Sequence, residues 1–352
     1  MKVLIVRLKQ IGDSVLALPV CNTLRKSDAN AEIHFMVYEH IAPLFENHPS
    51  IDKVVKMTAH QRKSKVAFFS MLKSIREQRY DAVLDIINTP TSLVITRFSG
   101  AKIQAGFLNE KLRTRFYRTK IHKLGDGAGR RKVPVLEALN IPLKYDYNID
   151  VNLHNDEIAK MKAAMAVAGI NADRPLIAMM VYSRRDYKIW PANYFVELSD
   201  HLINKYGAQL YFVYGPGEED AVKKIAARVE DSKNVFTQPE APSTRDLACL
   251  LKCVDFFIGN DGGPRHIAQS VGTSTFSIFS PLISKKGWIP NFPDPEHQAI
   301  DITDVDDINS LDREKFKKNL KEYYLRIDPQ MVIDRVDAML TDKPEFLKEN
   351  KS

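Results

Sequence analysis

The sequence predicts an α/β protein made of two doubly wound, parallel-sheet domains. Three observations carry this. Short apolar runs alternate with longer amphipathic stretches along nearly the whole chain. Two of the runs, at 3–6 and 254–258, lead through polar turns into apolar helices, which is the strand–turn–helix pattern of a buried parallel sheet. A length of 352 residues suits two domains of common size.

Composition narrows the class. Apolar residues make up 44% and charged residues 27%, the balance of a soluble globular chain. Lys2, Arg7 and Lys9 interrupt any N-terminal apolar run, so no signal peptide is expected, and no stretch approaches the roughly 18 apolar residues of a membrane span. Cys21, Cys249 and Cys253 form no CxxC pair and read as reduced, buried thiols of a cytoplasmic protein. Charge is uneven: residues 1–150 hold 25 Lys or Arg against 14 Asp or Glu, whereas 151–352 hold 26 against 30. The two halves are therefore expected to meet different partners.

In chain order, the strand at 3–6 is followed by Arg7-Leu8-Lys9-Gln10-Ile11-Gly12-Asp13-Ser14 and an apolar helix over 15–24. The turn holds a single glycine, so it is no dinucleotide fingerprint. Asp13 stands at the helix start, either as its cap or as a carboxylate at the sheet's carboxyl edge, placed to act as a base. Strands at 32–37, 53–55, 82–86 and 102–106 alternate with helices at 41–47 and 66–78, and a basic loop, 61–65, carries Arg62 and Lys63. From 111 to 132 the chain is basic and irregular, with Arg113, Arg115, Arg118 and Lys120 among its charges. This is a solvated loop or a cradle for a polyanion: a phosphorylated glycolipid, an anionic membrane surface or, less suited, nucleic acid, for which no motif is present.

A boundary is expected near 149–155. A second α/β unit then runs from the strand at 176–181, through a polar loop with Ser183, Arg184 and Lys188, to a helix ending near 205. A strand at 209–214 leads into Gly215-Pro216-Gly217-Glu218, and a helix over 246–253 precedes the second strand–turn–helix unit. There Gly262 and Gly263 permit close approach to the backbone, Pro264 suits the first helical turn, and Gly272 suits its C-terminal cap. Such a turn is either an ordinary connection or an anion site at a helix N-terminus, with Asp261 and His266 at its rim. A strand at 275–279, a proline-rich loop over 281–295, helices near 312–324 and 329–340, and a frayed tail complete the chain.

Several chemistries are absent: no HExxH, no GxSxG and no Walker A sequence occurs. Asp304-Val305-Asp306 formally matches a metal-binding DxD, but it sits in an acidic loop before a helix it is placed to cap. What remains is a set of polar turns at two sheet edges carrying Asp13, Lys188, Glu218, Asp261 and His266, an arrangement suited to a nucleotide-linked substrate.

These residues resemble glycosyltransferase family 9, the heptosyltransferases of lipopolysaccharide inner-core synthesis. Val3-Leu4-Ile5-Val6-Arg7 with Ile11-Gly12-Asp13 looks like the family's opening strand and IGD turn. Lys188-Ile189-Trp190-Pro191 looks like its KxWP element, and 259–272 is similar to its donor signature D-[ST]-G-P-x-H-x-A-x-x-x-G. The resemblance implies a GT-B fold: two Rossmann-like doubly wound domains facing across a cleft. It places an acceptor-binding domain at 1–155, a donor-binding domain at 156–325, a helix at 326–341 crossing back to the first domain, and a tail at 342–352.

The same resemblance implies an inverting transfer of heptose from ADP-L-glycero-β-D-manno-heptose to the phosphorylated lipopolysaccharide core, with no cofactor and no metal. Asp13 would be the general base and Lys188 would neutralise the leaving diphosphate. Gly262, Gly263 and the following helix would hold the phosphates, Glu218 the ribose, Asp261 the sugar hydroxyls, and His266 the phosphate or sugar. Ser183 and Arg184 are expected to join the donor site. Arg62, Lys63, Arg113, Arg115, Arg118 and Lys120 are expected to meet the acceptor's anionic groups. The protein is expected to act as a monomer, peripheral to the cytoplasmic face of the inner membrane. Two departures stand out: Gly262 replaces the signature's Ser or Thr, and Arg184-Arg185 replaces small hydroxyl residues. They leave room for another donor such as a UDP-hexose. A non-catalytic polyanion-binding protein on the same scaffold is the reading of a different class.

Overall fold

Both sheets are six-stranded, parallel throughout and ordered alike. The computed structural model describes residues 1–108, 115–122, 129–289, 294–307, 318–341 and 343–347. The chain divides into one unit of 1–152 with 243–245 and a second of 153–242 with residues from 246 onward.

In the first unit the strands are β1 (Lys2–Val6), β2 (Glu32–Tyr38), β3 (Lys53–Met57), β4 (Ala82–Asp85), β5 (Ile103–Leu108) and β6 (Thr119–His122), in the order β3-β2-β1-β4-β5-β6. Residues 3–6 of the central β1 are wholly buried, as a strand covered on both faces must be. Leu4 and Val6 pack on Met71, Leu72 and Ile75 of the helix Lys65–Glu77 and on Ile95 of the helix Pro90–Phe98. Both helices start where the sequence caps them. Ser64 accepts from the N–H of Ala67, and Thr89 forms a capping box with Ser92, with Pro90 in the first turn.

Three local readings change. The expected basic loop at 61–65 contains the end of a helix, Ala59–Lys63, held by a Thr58–Gln61 capping box. The expected helix at 41–47 is a 3-10 segment, Glu39–Phe45, with Pro43 inside it. The basic stretch expected to be irregular supplies edge strand β6, which pairs with β5. Its short mixed sequence, Thr-Lys-Ile-His, has no apolar run to announce it.

In the second unit the strands are β7 (Leu176–Met180), β8 (Gln209–Phe212), β9 (Val235–Phe236), β10 (Phe256–Asn260), β11 (Thr275–Ile278) and β12 (His297–Ile300), in the order β12-β11-β10-β7-β8-β9. Edge strand β12 lies just beyond the proline-rich loop, in a segment to which the sequence assigns no element. The helix Ala192–Tyr206 covers this sheet with Phe195, Leu198 and Leu202.

The late helix Pro329–Leu340, which the resemblance implies crosses back to the first domain, contributes apolar residues to the second unit's core. Val332, Ile333, Val336 and Leu340 of Pro329–Leu340 join the cluster around Ala192–Tyr206. Asp337 seals the contact by accepting from His201 Nε2 at 2.9 Å, Lys205 Nζ at 2.7 Å and the Tyr206 hydroxyl at 2.7 Å. The expected fraying beyond 342 does not extend to 343–347. There Phe346 is buried edge-on against Tyr206, 5.8 Å between ring centroids. The N-terminal part of the helix expected at 312–324 lies outside the described residues, which hold Leu320–Leu325. No helix among the described residues is long and apolar enough to cross a membrane.

Candidate functional site

In a doubly wound sheet, ligands bind beyond the carboxyl ends of the strands at the point where strand order reverses. That point lies between β1 and β4 in the first unit and between β7 and β10 in the second. Asp13 follows β1, Lys188 follows β7, and Asp261 follows β10.

Asp13 does not cap its helix. The cap position of Ile11–Val15 is Gln10, and Asp13 is the third helical residue. Its Oδ1 instead accepts from Arg7 Nη2 at 2.6 Å, while Arg7 Nε donates to the Asp13 carbonyl at 2.9 Å and Nη1 to the Ile86 carbonyl at 2.9 Å. Arg7 is buried, whereas the Asp13 carboxylate stays partly exposed, so one guanidinium fixes a carboxylate that still faces solvent. Burial pulls the Arg7 pKa down, against the opposing charges of Asp13 and Asp85. Asp85, wholly buried at the end of β4, is pushed up by burial, against hydrogen bonds from neighbouring groups. Among these are the Tyr117 hydroxyl at 2.5 Å and the backbone N–H groups of Ile87 and Asn88, each at 2.9 Å. Gly106 makes room for the Tyr117 ring, since a Cβ there would lie 2.6 Å from it.

In the second unit, Lys188 ends a 3-10 turn, and its Nζ donates to Asp261 Oδ2 at 2.9 Å and to the Asp261 carbonyl at 3.4 Å. Arg265, wholly buried, donates through Nη2 to Asp261 Oδ1 at 3.1 Å and to His266 Nε2 at 2.9 Å, and its guanidinium stacks over Phe279 at 5.0 Å. Burial opposes ionisation of Asp261. Arg265 and then Lys188 outweigh it and hold the carboxyl below its ordinary range. His266 is not at the rim. It is buried, and burial first, then Arg265, push its pKa well below the ordinary value, so it is neutral with Nε2 as acceptor.

The helix Gly263–Ser270 begins beside this cluster, with Gly262 at its cap position and Pro264 in its first turn. Gly262 has extended backbone, but a Cβ there would lie 2.6 Å from Met180 Cε. The Met180 thioether therefore occupies the space that the expected Ser or Thr side chain would need. Asn260 at the end of β10 locks the two edges together: its Oδ1 accepts from the Trp190 N–H at 2.9 Å and its Nδ2 donates to the Met180 carbonyl at 3.1 Å. Gly272 closes the helix at φ +80°.

Glu218 is buried at the turn after β8. Its Oε2 accepts from the Gly215 N–H at 2.7 Å, and its Oε1 lies 3.7 Å from Arg184 Nε. Arg184 also donates to the Pro216 carbonyl at 3.1 Å, so it leans on this turn. Ser183 is buried and accepts weakly, at 3.5 Å, from the Arg185 N–H. Beyond the same turn a cavity of about 210 Å³ is lined by Tyr211, Tyr214, Pro216, Glu240 and Leu247, among others.

The described residues expected to meet an acceptor all belong to the first unit. Arg62 lies over the Tyr38 ring at 4.6 Å, Lys63 is exposed, Arg115 and Arg118 are exposed, and Lys120 projects from β6. Arg113 lies outside the described residues. The DxD pair is engaged by cations: Asp304 with Lys285 and with Arg335 at 3.4 Å, Asp306 with Arg326. Among the described residues no three His, Cys, Asp or Glu side chains cluster as metal ligands.

Sequence reasoning assigned no role to Arg7, Asp85, Asn260 or Arg265. Each carried a faint signal, a polar or charged residue at the end of a buried strand or, for Arg265, four residues after Asp261 on a helix.

Comparison with known proteins converges. The family model described as glycosyltransferase family 9 (heptosyltransferase) matches residues 68–288. The chain is 24% identical to lipopolysaccharide heptosyltransferase 3 of Escherichia coli, over 76% of this chain and 80% of that protein. It is 22% identical to lipopolysaccharide heptosyltransferase 1 of Pseudomonas aeruginosa, over 99% and 100%. Its fold matches a family 9 glycosyltransferase from Veillonella parvula with a TM-score of 0.83 at 19% identity, covering 97% of both chains. It matches the E. coli ADP-heptose lipopolysaccharide heptosyltransferase II with a TM-score of 0.75 at 18% identity, covering 97% of this chain and 99% of that one. The chain is therefore a glycosyltransferase of family 9, with the GT-B architecture of two Rossmann-like domains.

Proposed function

We propose that the protein transfers heptose from ADP-L-glycero-β-D-manno-heptose to a phosphorylated lipopolysaccharide core acceptor, with inversion and without a metal ion. The observation that carries this reading is the Lys188–Asp261 pair, 2.9 Å apart at the switch point of the second sheet, beside the start of the helix Gly263–Ser270. In the reaction an acceptor hydroxyl oxygen attacks the anomeric carbon. The bond from that carbon to the diphosphate oxygen breaks, the hydroxyl proton passes to Asp13, and ADP departs with the electron pair. Asp13 is held for this by Arg7. Lys188 turns from Asp261 to the developing diphosphate charge, which the helix N-terminus also stabilises. Asp261, kept ionised by Arg265, meets the sugar hydroxyls. Glu218 takes the ribose, and the adjoining cavity takes the base. Lysine and the helix N-terminus supply the positive potential a divalent ion would bring. The enzyme acts as a monomer at the cytoplasmic face of the inner membrane, and binds no nucleic acid.

The test is transfer by purified protein to a deacylated lipid A–Kdo acceptor, with and without EDTA. Wild type should work in both conditions. Asp13→Asn should lose at least about a hundredfold in turnover while ADP still raises its melting temperature. Near-normal turnover by Asp13→Asn would remove the base assignment, and loss of activity in EDTA the metal-free mechanism. A second reading, transfer from another nucleotide sugar, is favoured by Met180 filling the space beside Gly262 and by Arg184 on Glu218. Stabilisation by UDP and not by ADP would establish it over the first.

A further inference from the structure

Four exposed apolar side chains of the first unit lie on two neighbouring helices. On Lys65–Glu77, Val66 is 81% and Phe69 58% exposed; on Pro90–Phe98, Phe98 is 47% exposed. The rings of Phe69 and Phe98 are 6.4 Å apart at their centroids, so the helices share one apolar patch. Val94, one turn before Phe98, extends it. Single exposed apolar residues are ordinary, but a joined aromatic patch marks an interaction surface.

Helical spacing makes the patch a second face and not a misplaced core. Met71, Leu72 and Ile75 of the same helix already fill the interior. Val66, Phe69, Lys73 and Arg76 recur at i, i+3, i+7 and i+10 on the outward stripe. Arg76 fixes the junction, since its Nη1 donates to the Phe98 carbonyl at 3.2 Å.

Charge identifies the occupant. Across 59–79 and 90–102 the chain carries eight Lys or Arg and one acid, Glu77. Lys65, Lys73, Arg76, Arg97 and Lys102 on these segments are all exposed. Aromatic side chains within a field of exposed cations match a bilayer with anionic headgroups: rings enter the acyl boundary while lysine and arginine meet phosphate. An apolar protein partner would gain nothing from eight like charges. We infer that the outer face of the helices Lys65–Glu77 and Pro90–Phe98 docks on an anionic lipid bilayer, with Phe69 and Phe98 as its inserted anchors. Its use to the enzyme rests on the lipid-linked acceptor proposed above, but vesicle binding is measured with neither acceptor nor donor present.

The experiment is flotation of the full chain with phosphatidylcholine vesicles, with and without phosphatidylglycerol. Binding is expected only to vesicles containing phosphatidylglycerol. It should weaken as salt rises from about 0.1 M to about 1 M, where screening shortens from about 10 Å to about 3 Å. Phe69→Ser with Phe98→Ser should lower partitioning at least about tenfold with an unchanged melting temperature, because both rings already face solvent. Lys73→Glu with Lys102→Glu should lower it further. Transfer to a soluble, deacylated acceptor should be unaltered in all four substitutions. Equal flotation of wild type and the phenylalanine variant overturns the proposal. So does concentration-dependent dimerisation that this variant abolishes in a protein that ignores vesicles, since a second copy would then cover the patch. A protein that floats but transfers no heptose retains the docking face and loses only the proposed reaction.

Discussion

Arg265 occupies the variable position between the proline and the histidine of the donor signature, yet it organises the residues around it. One nitrogen of its buried guanidinium meets both Asp261 and His266, and the ring of Phe279 supports its face. Without it, Asp261 would keep only Lys188 as a neutralising partner. Arg265→Met should therefore cost about 3–5 kcal/mol in denaturant unfolding, the usual result of breaking a buried ion pair from one side. It should also weaken ADP binding in calorimetric titration, since Lys188 would be drawn more tightly to Asp261. Unchanged stability would make Arg265 a passive filler. Gly262 illustrates the reverse case: a lost hydroxyl is matched by a methionine whose flexible thioether fills the vacated space, so packing survives although one polar contact does not.

At the scale of elements, Trp190 ties three segments of the second unit together. Its backbone N–H donates to Asn260 at the end of β10. Its indole Nε1 donates to the Ile327 carbonyl at 2.8 Å, and its wholly buried ring packs edge-on against Phe195 of the helix Ala192–Tyr206. The residue that opens the helix-bearing half of the KxWP element is thus also the anchor of the chain just before Pro329–Leu340. Trp190→Phe should retain most of the packing but leave the Ile327 carbonyl unpaired, lowering stability by about 1–3 kcal/mol. Chemical denaturation measures this, and an undiminished midpoint would mean that water replaces the indole. Lys188 and Trp190 lie two residues apart, so loosening the anchor should also raise the KM for the donor sugar.

Over the whole molecule, several histidines are buried in the neutral form. His48 accepts at Nδ1 from the Ser50 N–H at 3.1 Å and donates from Nε2 to the Asp150 carbonyl at 3.0 Å, which leaves no place for a second proton. Burial lowers its pKa, as it does for His34, His297 and, most strongly, His266. The unfolded chain binds protons at these sites below the ordinary value of about 6.5, where the folded chain does not. Stability from these groups is therefore complete above about pH 6.5 and is lost progressively as pH falls below it. Melting temperature should drop between about pH 6.5 and pH 5, and His48→Gln should flatten that dependence. A flat wild-type profile over this range would show that the histidines titrate alike in both states.

The sequence alone determined the local frame: the central strands, both strand–turn–helix units, and the charged residues at their carboxyl ends. These are legible because hydrophobic period and turn chemistry are properties of neighbours along the chain. The family motifs carried the expected roles of Asp13 and Lys188. The tertiary structure alone decided who meets whom. Lys188 pairs with Asp261 across 73 residues, and Arg7 reaches the Ile86 carbonyl across 79, contacts that follow from strand order and leave no trace in local periodicity. The edge strands β6 and β12 were missed because each is short, of mixed polarity, and defined by a partner strand rather than by its own pattern. The destination of Pro329–Leu340 was likewise undetermined, because an amphipathic helix declares which face it buries but not what covers it.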